Sequence, residues 1–500
     1  MEKSNLNPRF TINQLIRFTL AAISIYYIGV VFYIIFSRIN YPFELEWMEG
    51  GSLIQVRRLL DGSGLYVRPS IGYVPNIYPP LYYYISAIFS KIIQNYWFLP
   101  LRMVSVLSTV GISGLIFSII RARRKSIFLA ILSAGIFFAA FKIGGSWFDI
   151  ARVDMLFIFF LIAAVWLLEK ETLLSGILSG VLFACALFTK QTAIFAFSVI
   201  AIYSFFILKR KIVFAGTTSF LIVSAGWIMV ETYLSNGWYW YYNFTLIGLH
   251  RLPVDQPEYF GQPILMILPV MIITGIIVES YFKYQIRDFF NKREIWTFFG
   301  LVMLALSTMA GINPGSFYNN YIPFYTGISI LAGLRLPELV EKSDNPVRPF
   351  KKDIIYLLIF LQLCTLFYSP RDQIPTADDL NAGYKLVSIL KSTNGEVFIP
   401  NHNELTLLAG KKTYAHLIAL QELEGKFGAQ ESIGWKIVEQ DLLERIKNKY
   451  FSLIILDQKN DIWKTIPDYY DPQNLVYENN EVFWPVTGAK TRPELRYYPK

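Results

Sequence analysis

Long apolar runs separated by short polar segments dominate the chain. The runs at 18–36, 101–120, 127–143, 154–168, 173–189, 191–208, 212–234, 263–281, 295–311, 321–336 and 354–368 approach the length of about 17 to 25 apolar residues that a membrane-crossing helix requires. They predict a polytopic protein with about eleven transmembrane helices. The run 154–168 is the shortest, and the first run follows a polar start, MEKSNLNPRF, without a small-residue cleavage site, which reads as a retained signal anchor.

One further run, 79–93, begins YPPLYYY, and the distribution of charge places it. If it lies along the outer surface without crossing, one side of the bilayer collects four basic groups. These are Arg121, Arg123, Arg124 and Lys125; Lys209, Arg210 and Lys211; Lys283, Arg287, Lys292 and Arg293; and Arg335, Lys342, Arg348, Lys351 and Lys352. They join the N-terminal Arg9 and Arg17 on the cytoplasmic side, as the positive-inside rule requires. A crossing at 79–93 would turn every later cluster outward.

With that topology the outer side holds a long first loop, 37–100, and the segments GGSWFDIARVD (144–154), Thr189-Lys190-Gln191, NGWYWYYNFTLIGLHRLPVDQPEYFG (236–261) and NPGSFYNNYIPF (313–324). Within the first loop Leu53, Val56 and Leu60 recur at helical spacing, which predicts a short amphipathic helix resting on the membrane surface and ended by Asp61-Gly62. Residues 369–500 alternate β-like runs, EVFIP and SLIILD, with helical stretches at 378–391 and 436–448. The expected architecture is therefore an all-α membrane domain over 1–368 and a small extracytoplasmic α/β domain over 369–500, the boundary marked by Pro370 and Pro375.

Composition agrees with the membrane class: 54% of residues are hydrophobic and only 17% charged. The net charge of +9 is what cytoplasmic loops rich in Lys and Arg produce, and it predicts no nucleic-acid partner. Cys185 and Cys364 both sit in apolar runs, so no disulfide framework is legible. No phosphate loop, dinucleotide fingerprint, nucleophile elbow or zinc motif is present, and no metal or cofactor is expected.

Ionisable residues gather instead at the outer mouth. Glu44, Glu46 and Glu49 fall in one short stretch around Trp47, and Glu49 directly precedes the amphipathic helix, whose dipole favours a charged carboxylate. Arg152 and Asp154 begin a span; they form either an anchoring pair or a site for an anion. Lys190 is a lone cation in a turn, snorkelling to the interface or offering a point charge to phosphate. His250 and Arg251 offer the same chemistry in a longer loop. His402 and His416 lack partners at metal-ligand spacing and read as surface residues. Tyr78, Tyr82, Tyr83, Tyr84 and the run Trp238–Tyr242 fit an interfacial belt or a sugar-stacking surface equally well. A transporter would place polar groups near the midplane; Glu231 and Glu279 lie near span ends.

The stretch LEWMEGGSLIQVRRLLDGSGLYVRPSIGYVPNIYPPLYYY (45–84) resembles the first outer loop of the GT-C superfamily, which includes protein O-mannosyltransferases and lipid A aminoarabinose transferases. RVDMLF (152–157), FTKQTA (188–193) and NNYIPF (319–324) are similar as well, over about 370 residues, with the tail only loosely so. Many relatives carry Asp-Glu where this chain has Met48-Glu49, which makes Glu49 the matching acid and Glu46 a supplementary one.

The resemblance implies inverting transfer of a sugar from a polyprenyl-phosphate donor to a lipid, protein or glycan hydroxyl at the outer face of a bacterial inner membrane. It implies Glu49 as general base, with Glu46 and Asp154 as further acids. Arg152, Lys190, Arg251 and His250 would bind the phosphate, and Tyr78, Tyr82, Asn320 and Tyr321 would line the substrate site. The competing classes are a lipid-linked glycan carrier and a non-catalytic membrane scaffold.

Overall fold

The computed structural model describes residues 12–250, 261–282, 288, 290, 294–313, 315–341, 351–427, 430–457 and 463–500. Arg9, Arg251, Lys283, Arg287, Lys292, Arg293, Lys342 and Arg348 lie outside the described residues.

The apolar runs fold as helices. In chain order these are α1 (Ile12–Arg38), α2 (Glu49–Leu60), α3 (Leu81–Ile93), α4 (Phe98–Arg124), α5 (Ile127–Ala139), α6 (Asp154–Leu168), α7 (Leu173–Leu187), α8 (Ala193–Ile207) and α9 (Arg210–Leu234). Further helices cover Met271–Tyr281, Ile295–Gly311, Ile322–Glu341 and Lys351–Cys364. Four stretches, Gln14–Arg38, Phe98–Arg124, Arg210–Leu234 and Gln262–Tyr281, are long and apolar enough to cross a bilayer. Seven shorter apolar helices of 10 to 17 residues accompany them. The chain is thus a multi-pass helical protein; among the described residues four helices reach full spanning length, and the run count of about eleven is not established.

Large apolar side chains face outward from the bundle, among them Phe18, Phe36, Phe206 and Ile222. A soluble protein rarely exposes so much apolar surface, whereas lipid covers it without cost. Lipid tails do not drive helices together, so the helix contacts depend on close packing. α7 starts at a capping box in which Thr172 Oγ1 accepts from Ser175 N at 3.1 Å, and it packs on α6 and α9. At Gly180 the two backbones nearly touch: a Cβ there would lie 2.1 Å from Gly216 O.

The expected α/β character of the tail is present. Strands β1 (Glu396–Phe398), β2 (Phe451–Leu456), β3 (Tyr470–Leu475) and β4 (Leu495–Pro499) form one sheet in the order β1-β2-β4-β3, parallel at β1-β2 and antiparallel elsewhere. Helices Ala377–Ser392 and Ile433–Lys447 lie on the stretches where helix was expected. The sheet does not carry a core entirely its own. Leu53, Tyr66 and Tyr83 of the first loop are buried with Phe398, Trp435 and Tyr497 of the tail, and Phe43 is buried with Leu386, Val397 and Leu453.

This sharing corrects the reading of the first-loop helix. The predicted periodicity is real, but Leu53 and Val56 are buried in protein and not laid on lipid, because α3 and the tail cover that face. The aromatic segment after α9 is likewise helical: Trp238–Trp240 runs into a π-helical turn, Tyr241–Thr245. Tyr239 and Tyr242 pack on Tyr66 with ring centroids 5.0 and 6.5 Å away.

A side chain forced between α7 and α9 should be costly. Gly180→Leu is expected to destabilise the bundle by about 1–3 kcal/mol or more, the usual range for overpacking, read as a lower thermal midpoint in detergent. Gly226→Leu, where a Cβ meets nothing within 4 Å, should leave the midpoint unchanged.

Candidate active site

Three ion pairs join the ends of α1, α4 and α6 to segment 144–153, the first loop and the α7–α8 turn. Arg38, at the end of α1, reaches Asp149 through Nε at 2.8 Å and Nη2 at 2.5 Å. Its remaining donors go to Ser146 O at 2.8 Å and Gln373 O at 2.9 Å, which ties α1, segment 144–153 and the tail together. Arg102, in the first turns of α4, reaches Glu49 through Nε at 3.1 Å and Nη2 at 2.7 Å, and both side chains are fully buried. Lys190, in the turn between α7 and α8, donates to Asp154 Oδ1 at 2.9 Å.

Glu49 therefore does not match the expected general base. Its Oε1 accepts from Arg102 Nε and from Ala151 N at 2.6 Å; its Oε2 accepts from Arg102 Nη2 and from Leu45 N at 2.7 Å. Two bonds on each oxygen occupy the whole acceptor capacity of a carboxylate. With no exposure and no spare lone pair, Glu49 cannot receive a substrate proton without dismantling the loop. Its place is that of a positioning residue, holding the first loop against α4 and segment 144–153.

Arg152 is the opposite case. It is 4% exposed, its Nη2 lies 3.4 Å from Tyr78 Oη, and its guanidinium sits over the rings of Tyr78 and Trp147 at 5.4 and 5.2 Å. Nε and Nη1 have no hydrogen-bond partner among the described residues. A buried guanidinium with two unspent donors is costly unless an anion completes it. Beside it Asp154 Oδ1 also accepts from Asn319 Nδ2 at 3.2 Å, and Lys190 Nζ lies 3.4 Å from Asn320 Oδ1. The turn that carries Lys190 is fastened to the first loop. Phe188 O accepts from Leu81 N at 2.9 Å, and Gln191 Nε2 donates to Ile77 O at 2.6 Å.

Of the remaining first-loop acids, Glu46 is 1% exposed and accepts from Met48 N at 3.2 Å. Burial pushes its carboxyl up to about 8, against the pull of Arg152, with Glu49 raising it further. It packs against Gly488, where a Cβ would lie 2.9 Å from Glu46 Oε1, while Thr487 N donates to Leu45 O at 3.2 Å. Glu44 turns the other way, accepting from Gly50 N at 2.7 Å and meeting His402 Nδ1 at 2.5 Å.

The structure thus brings together Glu46, Arg152, Asp154, Lys190, Tyr78 and Asn320, and leaves other expected residues elsewhere. Tyr82 is fully buried and donates to Leu101 O at 2.8 Å, so it is a core residue of the α3–α4 contact. Tyr321 donates to Gln262 Oε1 at 2.7 Å and belongs to the packing of that helix. His250 Nε2 lies 2.7 Å from Glu422 Oε2 of the tail, so that nitrogen already has a partner within the protein. His402 and His416 are not surface residues: they are 5% and 3% exposed, and burial lowers the His416 imidazole to about 4. Sequence reasoning missed Arg102, Arg38 and Asp149. Arg102 did carry a signal, since an arginine within an apolar run is expensive unless it is paired.

No family model and no curated protein matches the chain. Among solved structures it is similar to ArnT from Cupriavidus metallidurans in the apo state, with 11% identity and a TM-score of 0.60 over 95% of this chain and 97% of that one. The same protein bound to undecaprenyl phosphate matches at 10% identity and a TM-score of 0.59, again over 95% and 97%. The oligosaccharyltransferase AglB from Archaeoglobus fulgidus, in complex with an inhibitory peptide and a dolichol-phosphate, matches at 10% and 0.51 over 89% and 69%. At these identities the shared property is the fold alone.

The role of Glu49 is open to a direct check. Removing one partner of a buried ion pair ordinarily costs about 3–5 kcal/mol, so Glu49→Gln and Arg102→Met should each lower the thermal midpoint in detergent substantially. An unchanged midpoint for Glu49→Gln would return Glu49 to the list of bases.

Proposed function

We propose that the protein is a membrane glycosyltransferase that moves a sugar from a polyprenyl-phosphate-linked donor to an acceptor hydroxyl at the outer face of the membrane. The observation that carries this reading is Arg152, a buried guanidinium with Nε and Nη1 unspent, beside Lys190 in one mouth of a GT-C-type bundle. The undecaprenyl phosphate in the ArnT structure supports a lipid phosphate as the ligand class.

In this reading the acceptor oxygen attacks the anomeric carbon, the bond from that carbon to the phosphate oxygen breaks, and configuration inverts. The acceptor proton passes to Glu46 in its ionised form, a fraction that grows as pH rises toward about 8; Glu46 accepts from Met48 N, where Glu49 accepts four bonds. The leaving group is a lipid phosphate whose charge grows from one to two as the bond opens. It is already a good anion, so no general acid is required. Arg152 and Lys190 supply positive charge where that charge develops, in a site too dry for water to do so. Asp154 holds Lys190 in place through its Oδ1, and Asn319 and Asn320 steady the pair.

The test is incubation of the protein in vesicles with a panel of polyprenyl-phosphate sugars and acceptor extracts, followed by mass spectrometry. A glycosylated product and free polyprenyl phosphate are expected in equal amounts. Glu46→Gln should reduce turnover by about 10²–10⁴-fold, the contribution of a positioned base, and Lys190→Met by about 10²–10³-fold, that of one electrostatic donor. Movement of a sugar lipid across the bilayer without any product would overturn the reading in favour of a carrier.

A further inference from the structure

A second cluster of ionisable groups lies beyond the transfer site, where the first loop meets the tail. Glu44, His402 and Glu404 each present a ligand atom, and these atoms lie within 4.8 Å of one another. His402 is held at both nitrogens: Nδ1 faces Glu44 Oε2 at 2.5 Å, and Nε2 faces Asp457 Oδ2 at 2.9 Å. Thr491 Oγ1 donates to that same Asp457 oxygen. Glu404 is 0% exposed, yet neither of its carboxylate oxygens has a hydrogen-bond partner among the described residues.

That last observation is the one hydrogen bonding within the protein does not explain. A buried carboxylate without donors is among the costliest arrangements a fold can hold, and buried charges ordinarily pair or coordinate metals. Space has been made for these oxygens. A Cβ at position 50 would lie 2.2 Å from Glu404 Oε2 and 2.6 Å from Glu44 Oε1, so only glycine admits both carboxylates. A small cavity of about 20 Å³ opens at Glu44, His402 and Glu404, which has room for an ion or a single water and none for a sugar.

We infer that Glu44, His402 and Glu404 form a binding site for a divalent transition-metal ion, zinc first, that clasps the first loop to the tail. Asp457 takes the part of the outer carboxylate. By accepting from Nε2–H it fixes the tautomer that leaves the Nδ1 lone pair aimed at the two glutamates, the usual carboxylate–histidine–metal relay. One nitrogen and two carboxylate oxygens, with water as a fourth ligand, suit zinc. Tetrahedral ligands at about 2 Å from the ion stand roughly 3.3 Å apart, so binding lengthens the Glu44–His402 contact and draws Glu404 inward. The ion would brace the loop two residues before Glu46 without touching the reacting atoms. The inference stands apart from the transfer reading, since it concerns occupancy and not turnover.

The experiment uses the full chain in detergent, freed of any histidine tag, dialysed against zinc and then against zinc-free buffer. The wild-type protein should retain about one zinc per chain by mass spectrometry of metals, and zinc should raise its thermal midpoint. Glu404→Gln should retain none and should fold without zinc as the wild-type protein does, because the amide keeps the size and shape of the side chain. Asp457→Asn should weaken retention by about 10- to 100-fold, as loss of an outer carboxylate does. Retention of zinc by Glu404→Gln equal to wild type would overturn the site. So would a wild-type protein that neither holds zinc nor gains stability from it, a result that needs no variant to fold.

Discussion

The Glu49–Arg102 pair is the contact on which the candidate site depends. Glu49 stands at the first residue of α2, Arg102 lies near the start of α4, and the carboxylate also takes the amides of Leu45 and Ala151. One side chain thereby fixes three separate stretches of chain to each other. Because both groups are fully buried, water cannot replace either partner, and the arrangement holds as a whole or fails as a whole. The neighbouring acids are placed as a consequence. Glu46 is directed toward Arg152, and Glu44 toward His402 of the tail.

From this constraint follows a division of labour among carboxylates that look alike in the sequence. Glu49 is spent on architecture, Glu46 lies near enough to the unspent arginine to feel its charge, and Glu44 joins a histidine and a glutamate from the tail. The tail is part of this design and not an appendage. Its sheet shares apolar cores with the first loop, Thr487 hydrogen-bonds both Leu45 and Gly145, and Gly488 packs against Glu46.

The bundle was legible because hydrophobic run length and charge asymmetry are local properties, and the first-loop motif pointed to the fold. The clustering of Arg152, Asp154, Lys190 and Asn320 was approachable for a related reason: topology alone puts those segments on one side. What could not be read was which acid meets which base. Glu49 and Glu46 differ by three positions, and only the reach of Arg102 from a distant helix separates their roles. His402 meets Glu44 across 358 residues of chain, a separation no spacing rule covers, so both tail histidines read as surface. Strand β3 went unseen because Pro472 interrupts its run, which is tolerated at the edge position it holds, and β4 because its run, Leu495–Pro499, is short.

The most direct measurement is an electron cryomicroscopy structure of the protein with undecaprenyl phosphate. The account predicts phosphate density within hydrogen-bonding distance of Arg152 Nε and Nη1 and of Lys190 Nζ, on the same face of the bundle as Glu46. Phosphate bound at the opposite membrane face, or elsewhere with the Arg152 donors still unspent, would contradict it.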